Sequence, residues 1–255
     1  MTELVTTEVN DGILSIRINR PDKKNALTQD MYTVMADAID RSNTDDAVRV
    51  VFLTGTDDCF CAGNDLGDFL ASVMDNEDPP ATRFINGIAT AEKPIIAAVE
   101  GIAVGIGMTM LLHCDLVYAA ENAKLHFPFI NLAIIPEAGS TYLLPRRVGH
   151  QRAAELFMLG EPFSAQSAEE AGLVNGVYPS GQVIGRAYEK AQLLARKAPS
   201  ALRTTKALMK ADAEPLLSRI ETEVEVIGPM ISSPEAREVM NAFMEKREPD
   251  FSKLS

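Results

Sequence analysis

Apolar and polar residues alternate at the start of the chain, over residues 5–9 and again at Ile13, Leu14, Ile16 and Ile18, on either side of Asn10-Asp11-Gly12. A period of two suits half-buried strands and an Asp-Gly pair suits a tight turn, so a hairpin is expected. Arg20-Pro21-Asp22 ends it. Thr28, followed by Gln29-Asp30 and apolar residues at 31, 34, 35, 38 and 39, predicts an N-capped amphipathic helix to about residue 42. The β-branched run 48–53 reads as a short buried strand ending at Thr54-Gly55. The same order then recurs: a loop and helices over 65–92, an apolar strand over 95–99, a glycine-rich turn, a helix near 106–113 and a strand over 115–119. Short apolar strands alternating with helices define an α/β chain with buried sheets.

The pattern changes from about Gly139. Helical periodicity dominates over 149–159, 164–171, 180–197, 200–212, 213–227 and 233–247, interrupted only by 173–178. A core over residues 1–195 followed by a helical C-terminal subdomain over 196–255 is expected. The string DNEDPP, residues 75–80, is the best candidate for a surface loop.

Composition narrows the range of partners. With 255 residues, 46% of them hydrophobic, the chain can bury one large core. A net charge of −12 repels nucleic acid and anionic membrane surfaces, so neither is expected as a partner, and an anionic ligand would need a local cluster of Lys or Arg. Met1-Thr2-Glu3-Leu4-Val5 lacks the basic and apolar regions of a leader, and no stretch reaches the roughly 20 apolar residues that span a bilayer. A cytoplasmic protein is expected. The last four residues, Ser-Lys-Leu-Ser, hold a peroxisomal tripeptide displaced by one position, where it should not be read. Cys59, Cys61 and Cys114 are expected to be reduced and packed, and His113, His126 and His150 lack metal-ligand spacing, so no metal is expected.

One acid stands out. Glu137 is the sole carboxylate in Leu132-Ala133-Ile134-Ile135-Pro136-Glu137-Ala138-Gly139. Two other segments accompany it, each between a strand and a helix: Cys59-Phe60-Cys61-Ala62-Gly63-Asn64-Asp65-Leu66 and Gly101-Ile102-Ala103-Val104-Gly105-Ile106-Gly107. Small residues at 62 and 63 let a ligand approach the backbone, and N–H groups at helix starts lack intrahelical partners. In the second segment the positive end of a helix dipole adds to those donors. Taken alone, each segment also reads as a plain strand-to-helix turn, and Glu137 as a first-turn helix residue favoured by the dipole. A dinucleotide fingerprint fits worse, because Met110 stands where a third glycine is required. Ser140 and Thr141 have no His placed to activate them and suit capping or packing. Carboxylate and turns together suggest proton transfer beside a carbonyl whose developing charge is held by backbone N–H groups.

The order and spacing of several segments carry a resemblance. Asn19-Arg20-Pro21 with Asn25-Ala26-Leu27, Phe60-Cys61-Ala62-Gly63-Asn64-Asp65-Leu66, Ala98-Val99-Glu100-Gly101-Ile102-Ala103-Val104-Gly105-Ile106-Gly107, Cys114-Asp115-Leu116-Val117-Tyr118-Ala119 and Ala171-Gly172-Leu173-Val174-Asn175 resemble the crotonase, or enoyl-CoA hydratase/isomerase, superfamily from about Ile13 to Ala211. The resemblance implies an α/β crotonase spiral of ββα units with a helical C-terminal subdomain. It implies an acyl-CoA thioester as ligand, its oxygen gripped by the N–H groups of Asn64 and Ile106. Contacts to the substrate and its coenzyme A are implied at Lys24, Ala26, Ala62, Gly63, Asn64, Asp65, Leu66 and Ile106, with the adenine against Ala26, Ala62 and Leu66. Asp65 also suits a turn-holding role. Lys23 and Lys24 are the candidate phosphate-binding cations and equally suit a solvated surface; the lysine that many relatives carry after the first turn is Gly67 here. No cofactor is implied beyond the coenzyme A of the substrate. The apolar positions Val224, Ile227, Met230, Ile231, Met240 and Phe243 suit closure over the site, packing between subunits or an intramolecular core, and the resemblance implies a homotrimer or hexamer.

The acids depart from the hydratase pattern. Hydratases of this superfamily use two glutamates, and here those positions are Thr109 and Phe129, so the acid/base pair for adding water is missing. Glu137 stands where the Δ3,Δ2-enoyl-CoA isomerases carry their single base, and Phe127-Pro128-Phe129 followed by Pro136-Glu137 is similar to that branch. The expected reaction moves a proton from C2 to C4 of a 3-enoyl thioester. The alternatives are another crotonase reaction on acyl-CoA (hydration, hydrolysis or ring isomerisation) and a non-catalytic acyl-CoA-binding subunit. Burial beside Ile134, Ile135 and Phe129 would raise the Glu137 pKa, and a helix start after Pro136 would lower it.

Overall fold

A computed structural model describes residues 3–65, 67–68, 80–210 and 213–253. The expected hairpin is there: β1 (Val5–Asn10) pairs antiparallel with β2 (Ile13–Ile18), Val5 opposite Ile18. The Thr28 hydroxyl accepts from the N–H of Met31, 3.4 Å away, and starts α1 (Gln29–Thr44). Such a cap contributes about 1 kcal/mol. The buried stripe of α1 is rotated from the expected one: Val34 is exposed, whereas Met31, Tyr32, Met35, Ala36, Ala38 and Ile39 face the core. Tyr32 and its near neighbours thereby reach the segment around Asn64.

Strands β3 (Val50–Thr54) and β4 (Ile95–Val99) are buried along their whole length, as their unbroken apolar runs require. Together with β6 (Leu116–Ala120) and β9 (Gly176–Tyr178) they extend the hairpin into a six-stranded sheet, β1-β2-β3-β4-β6-β9, parallel from β2 onward. A smaller sheet, β5-β7-β8, is built from β5 (Ile102–Val104), β7 (Lys124–His126) and β8 (Phe163–Ser164). The pairs β4–β5 and β6–β7 each give one strand to each sheet before turning into helix. α2 (Pro80–Thr90) packs on α1, and α3 (Ile106–Thr109) follows β5.

Three expectations need correction. The second glycine-rich segment is not a bare turn, because Ile102–Val104 is a strand within it; three residues are too few to show a period. The helix over 106–113 tightens to a 3₁₀ turn from Met110 to His113. The helix expected to start after Pro136 begins only at Ser140: α4 (Ser140–Val148) leaves Glu137 before its first turn rather than in it, and it runs on through Pro145. Residues 66 and 69–79 of the expected loop and helices over 65–92, which include residues 75–79 of the DNEDPP loop, lie outside the described residues; Pro80 opens α2.

The remaining helices follow the periodicity: α5 (His150–Ala154), running into a π turn over Glu155–Leu159, α6 (Ala165–Glu170), α7 (Val183–Ala195), α8 (Pro199–Met209), α9 (Ala213–Ile231) and α10 (Pro234–Glu245). α7 covers β3, β4 and β6, with Phe52 and Tyr188 packed edge to face. No helix among the described residues is long and apolar enough to cross a membrane.

The helices after residue 195 are tied to the sheet by charge as well as by apolar contact. Lys206 of α8, 4% exposed, donates to the carbonyl of Lys93 at 2.6 Å and to Asp115 Oδ2 at 2.7 Å. The same Asp115 oxygen accepts the N–H of Ile95, 2.7 Å away. Removing one partner of a buried pair strands the other. Lys206→Ala is therefore expected to lower unfolding free energy in urea by about 3–5 kcal/mol, and the loss should persist at high salt because buried pairs are poorly screened.

Candidate active site

The two glycine-containing segments lie side by side because their backbones are hydrogen-bonded. Cys61 pairs with Ala103 as a parallel bridge: Cys61 N–H donates to Ile102 O at 3.0 Å and Val104 N–H to Cys61 O at 2.9 Å. The approach leaves no room for a side chain at Gly107, where a Cβ would stand 2.5 Å from Cys61 O. On its other side the first segment pairs with Leu27, whose N–H donates to Gly63 O at 2.9 Å and whose carbonyl accepts from Asp65 N–H at 2.8 Å. In a parallel bridge the groups used belong to the flanking residues, so the N–H of Asn64 turns the other way. Ile106 is the first residue of α3, and its N–H has no intrahelical acceptor. Among the described residues, no acceptor is found for either N–H.

Buried Asn25 braces this arrangement. Its side-chain amide donates to Cys59 O at 2.6 Å, Phe60 O at 3.2 Å and Thr56 Oγ1 at 3.1 Å, and its Oδ1 accepts the N–H of Arg20 at 2.8 Å. Ala62 N–H donates to Lys24 O at 3.0 Å, which sets Lys24 and half-buried Ala26 beside Ala62 and Gly63. The Lys23 and Lys24 side chains are exposed. Asp65 is held by Arg20, whose Nη1 lies 2.9 Å from Asp65 Oδ2 and 2.9 Å from Ala26 O. The Arg20 guanidinium keeps the Asp65 carboxyl below its usual range, and Asp65 Oδ1 also accepts the N–H of Asp68 at 3.3 Å. The Asp65 side chain therefore fastens its own turn. Leu66 lies outside the described residues. All three cysteines are free and buried, and burial pushes the Cys61 and Cys114 thiols up to about 12.

Glu137 sits two residues before the Gly139 that precedes α4, on a turn in which Ala138 and Gly139 both adopt left-handed backbone (φ 59° and 68°). Glycine is required at 139 for space as well: a Cβ there would meet Leu216 Cδ1 of α9 at 2.4 Å. The residue is half-buried while its carboxyl group is enclosed, and burial pushes its pKa up to about 8. A hydrogen bond from Thr109 Oγ1 to Glu137 Oε1, 2.5 Å long, opposes the rise, and the negative charge of Glu223 adds to it. Burial thus outweighs both the hydroxyl and the nearby start of α4. Thr109 lies three residues beyond Ile106 on the same short helix, so one element carries both a free N–H and the contact to Glu137. Phe129, at the other hydratase position, is buried at the start of a 3₁₀ turn.

Three side chains that sequence reasoning did not single out complete the site. Tyr32 donates to Asn64 Oδ1 at 2.5 Å and so orients the residue whose N–H is free; burial, then the Glu137 charge, push its phenol well above the usual range. His113 Nε2–H donates to Ala138 O at 2.7 Å. Burial drives its pKa down to about 3, so it is neutral, and its Nδ1 has no partner among the described residues. Glu223 of α9 accepts from Gly139 N–H at 2.6 Å, Thr141 N–H at 3.1 Å and Thr141 Oγ1 at 2.5 Å. A signal for Glu223 exists in the sequence: it interrupts the apolar stripe Leu216, Ile220, Ile227. Thr141 does not cap α4, since its hydroxyl donates to Glu223, while Ser140 is buried with its hydroxyl unpartnered among the described residues.

A two-sheet spiral with two adjoining strand-to-helix segments under an enclosed carboxylate is the frame of a known enzyme class, and the chain belongs to the enoyl-CoA hydratase/isomerase family, which it matches over residues 8–253. It is 36% identical to the peroxisomal enoyl-CoA delta isomerase 3 of Mus musculus over 226 residues, 86% of this chain and 70% of the relative. It is 34% identical to the 2,3-dehydroadipyl-CoA hydratase of Escherichia coli K12 over 256 residues, 98% and 99% of the two chains. The crystal structure of an enoyl-CoA hydratase/isomerase from Pseudoalteromonas atlantica T6c superimposes with a TM-score of 0.94 at 38% identity, covering 98% of this chain and 100% of that one.

The Thr109 hydroxyl stabilises the ionised form of Glu137. In protein labelled with carbon-13 glutamate, the Glu137 carboxyl should titrate near 8. Thr109→Val should raise that midpoint by about one pH unit, the effect of losing one charge-assisted hydrogen bond.

Proposed function

We propose that the protein is a Δ3,Δ2-enoyl-CoA isomerase. The observation that carries the proposal is a carboxylate, Glu137, that is the single one available at the site among the described residues and is bonded to the helix that presents the free N–H of Ile106. Glu137 takes a proton from C2 of a 3-enoyl thioester, and the freed pair forms C1=C2 as the carbonyl π pair moves onto the thioester oxygen. The dienolate then restores the carbonyl, the C1–C2 pair becoming C2=C3 as the C3–C4 pair takes the proton back at C4. The thioester oxygen carries the transient charge and accepts from Asn64 N–H and Ile106 N–H, dipoles already in place before reaction. An elevated pKa suits Glu137 to this work, since an enclosed carboxylate is a stronger base than one in water. The backbone around Lys24, Ala26, Ala62 and Gly63 receives the coenzyme A portion, and no other cofactor takes part.

Hydration is the competing reading, given the hydratase relative. It asks for a second acid/base group. Thr109 and Phe129 cannot serve, and the other buried carboxylate of the site, Glu223, has both oxygens occupied by Gly139 and Thr141. Subunit association belongs to the proposal as well: Ile227 turns into the core, whereas Val224 and Met240 are exposed and available for a homotrimer or hexamer.

With 3-enoyl-CoA, conjugated thioester absorbance should grow, and Glu137→Gln should slow it by about 10²–10⁴-fold. Equal inertness of wild type and variant would remove the isomerase assignment; tight binding without exchange of the C2 proton into heavy water would leave a binding subunit. The base works ionised, so kcat/KM should climb with pH through about 8 and level off above it. Below that midpoint the loss should approach tenfold per pH unit.

A further inference from the structure

We propose that Glu223 is a positioning residue for the base: reaching from α9 to the N–H groups of Gly139 and Thr141, it fixes the turn on which Glu137 is mounted. The inference rests on the isomerase reading of Glu137 but concerns a residue some 80 positions away in sequence.

The geometry supports it from three directions. Ala138 and Gly139 are both left-handed, and a non-glycine residue in that region holds its place only when neighbours enforce it. The carbonyl of Ala138 is held by His113 at 2.7 Å, and the N–H of Gly139 by Glu223 at 2.6 Å, so the Ala138–Gly139 peptide, one residue beyond Glu137, is gripped at both of its polar ends. Glu223 is 2% exposed and lies between Ile220 and Ile227 on the face of α9 that touches the turn, where an apolar residue would serve packing equally well. A buried carboxylate is costly unless its hydrogen bonds are used, and here three donors converge on it.

The carboxylate also acts on Glu137 by charge. Glu223 faces it from α9, Tyr32 from α1 and Cys61 from the first turn; His113 is neutral, and Arg219, 3.5 Å from Thr141 Oγ1, acts on Glu223 itself. Burial raises the pKa of Glu223 as well, while Thr141 and Gly139 hold it down. Among these groups Glu223 is the one whose charge raises the pKa of Glu137.

Two variants separate positioning from simple capping. Glu223→Gln keeps the shape, removes the charge and turns an N–H toward a donor; Thr141→Ala removes the hydroxyl's bond to Glu223, with the 3.5 Å bond from Arg219, and serves if Glu223→Gln does not fold. The Glu137 carboxyl is titrated by carbon-13 glutamate resonance, assigned through its loss in Glu137→Gln, beside steady-state kinetics on 3-enoyl-CoA. Expected for Glu223→Gln is a lower Glu137 midpoint, an acid limb of the rate profile moved the same way, and kcat on the plateau down about tenfold or more with KM changed less than about twofold. Thr141→Ala should shift the same quantities in the same directions by less. A lower melting temperature with midpoint and kcat unmoved would reduce Glu223 to a helix cap and overturn the proposal. A wild type inert toward 3-enoyl-CoA would sink the isomerase assignment, and the titration alone would then judge Glu223, an unmoved midpoint counting against it.

Discussion

Two parallel bridges, Cys61 with Ala103 and Leu27 with Asn64, hold the functional architecture together. A backbone N–H without an acceptor is costly in a dry interior, and a chain left to itself would fold to satisfy it. These bridges prevent that. They use up the polar groups on either side of Asn64, and the first residue of a helix leaves the N–H of Ile106 free by construction. The larger sheet sets the spacing of the two segments, since β3 and β4 deliver them from adjacent parallel positions. Donors fixed in this way need no rearrangement when charge appears on an oxygen between them.

The electrostatics of the carboxyl site follow from what that frame excludes. Removing Glu137 from water disfavours its ion, and one hydroxyl does not offset the loss. The polar groups nearby divide into those that stabilise the ion, Thr109 alone, and those that oppose it, chiefly Glu223. His113 contributes shape rather than charge, because a neutral ring with one nitrogen on Ala138 O is a fixed strut. The site thus combines a carboxylate of raised pKa with a stiff mount.

Much of this was legible in the sequence where the chain is locally consistent. The hairpin, α1 with its Thr28 cap, the buried strands β3 and β4 and most later helices follow from period, capping and apolar runs. Glu137 was visible as an acid without polar neighbours. What escaped depends on contacts distant in sequence. β5, β7 and β8 are three residues long or shorter and exist because they pair with one another. Tyr32 falls outside the apolar stripe at 31, 34, 35, 38 and 39 and gains its place only when the helix is turned to meet Asn64. Glu223 looks like surface charge among the glutamates of α9 unless its register with Leu216, Ile220 and Ile227 is counted. The opposing influences on the Glu137 pKa could be named from sequence but not ranked, since the outcome rests on how much water the fold removes.

The hold on the Glu137 turn has a consequence for biosynthesis. A chain leaving the ribosome N-terminus first presents Asn64, Ile106, Thr109 and Glu137 long before residue 223 is made, and until then Gly139 and Thr141 lack their acceptor. The nascent spiral can therefore set Asn64 and Ile106 in place while the Glu137 turn is still loosely mounted. The brace arrives late, with the docking of a helix from the last fifth of the protein, so a chain truncated before α9 would carry Glu137 on an unfastened turn.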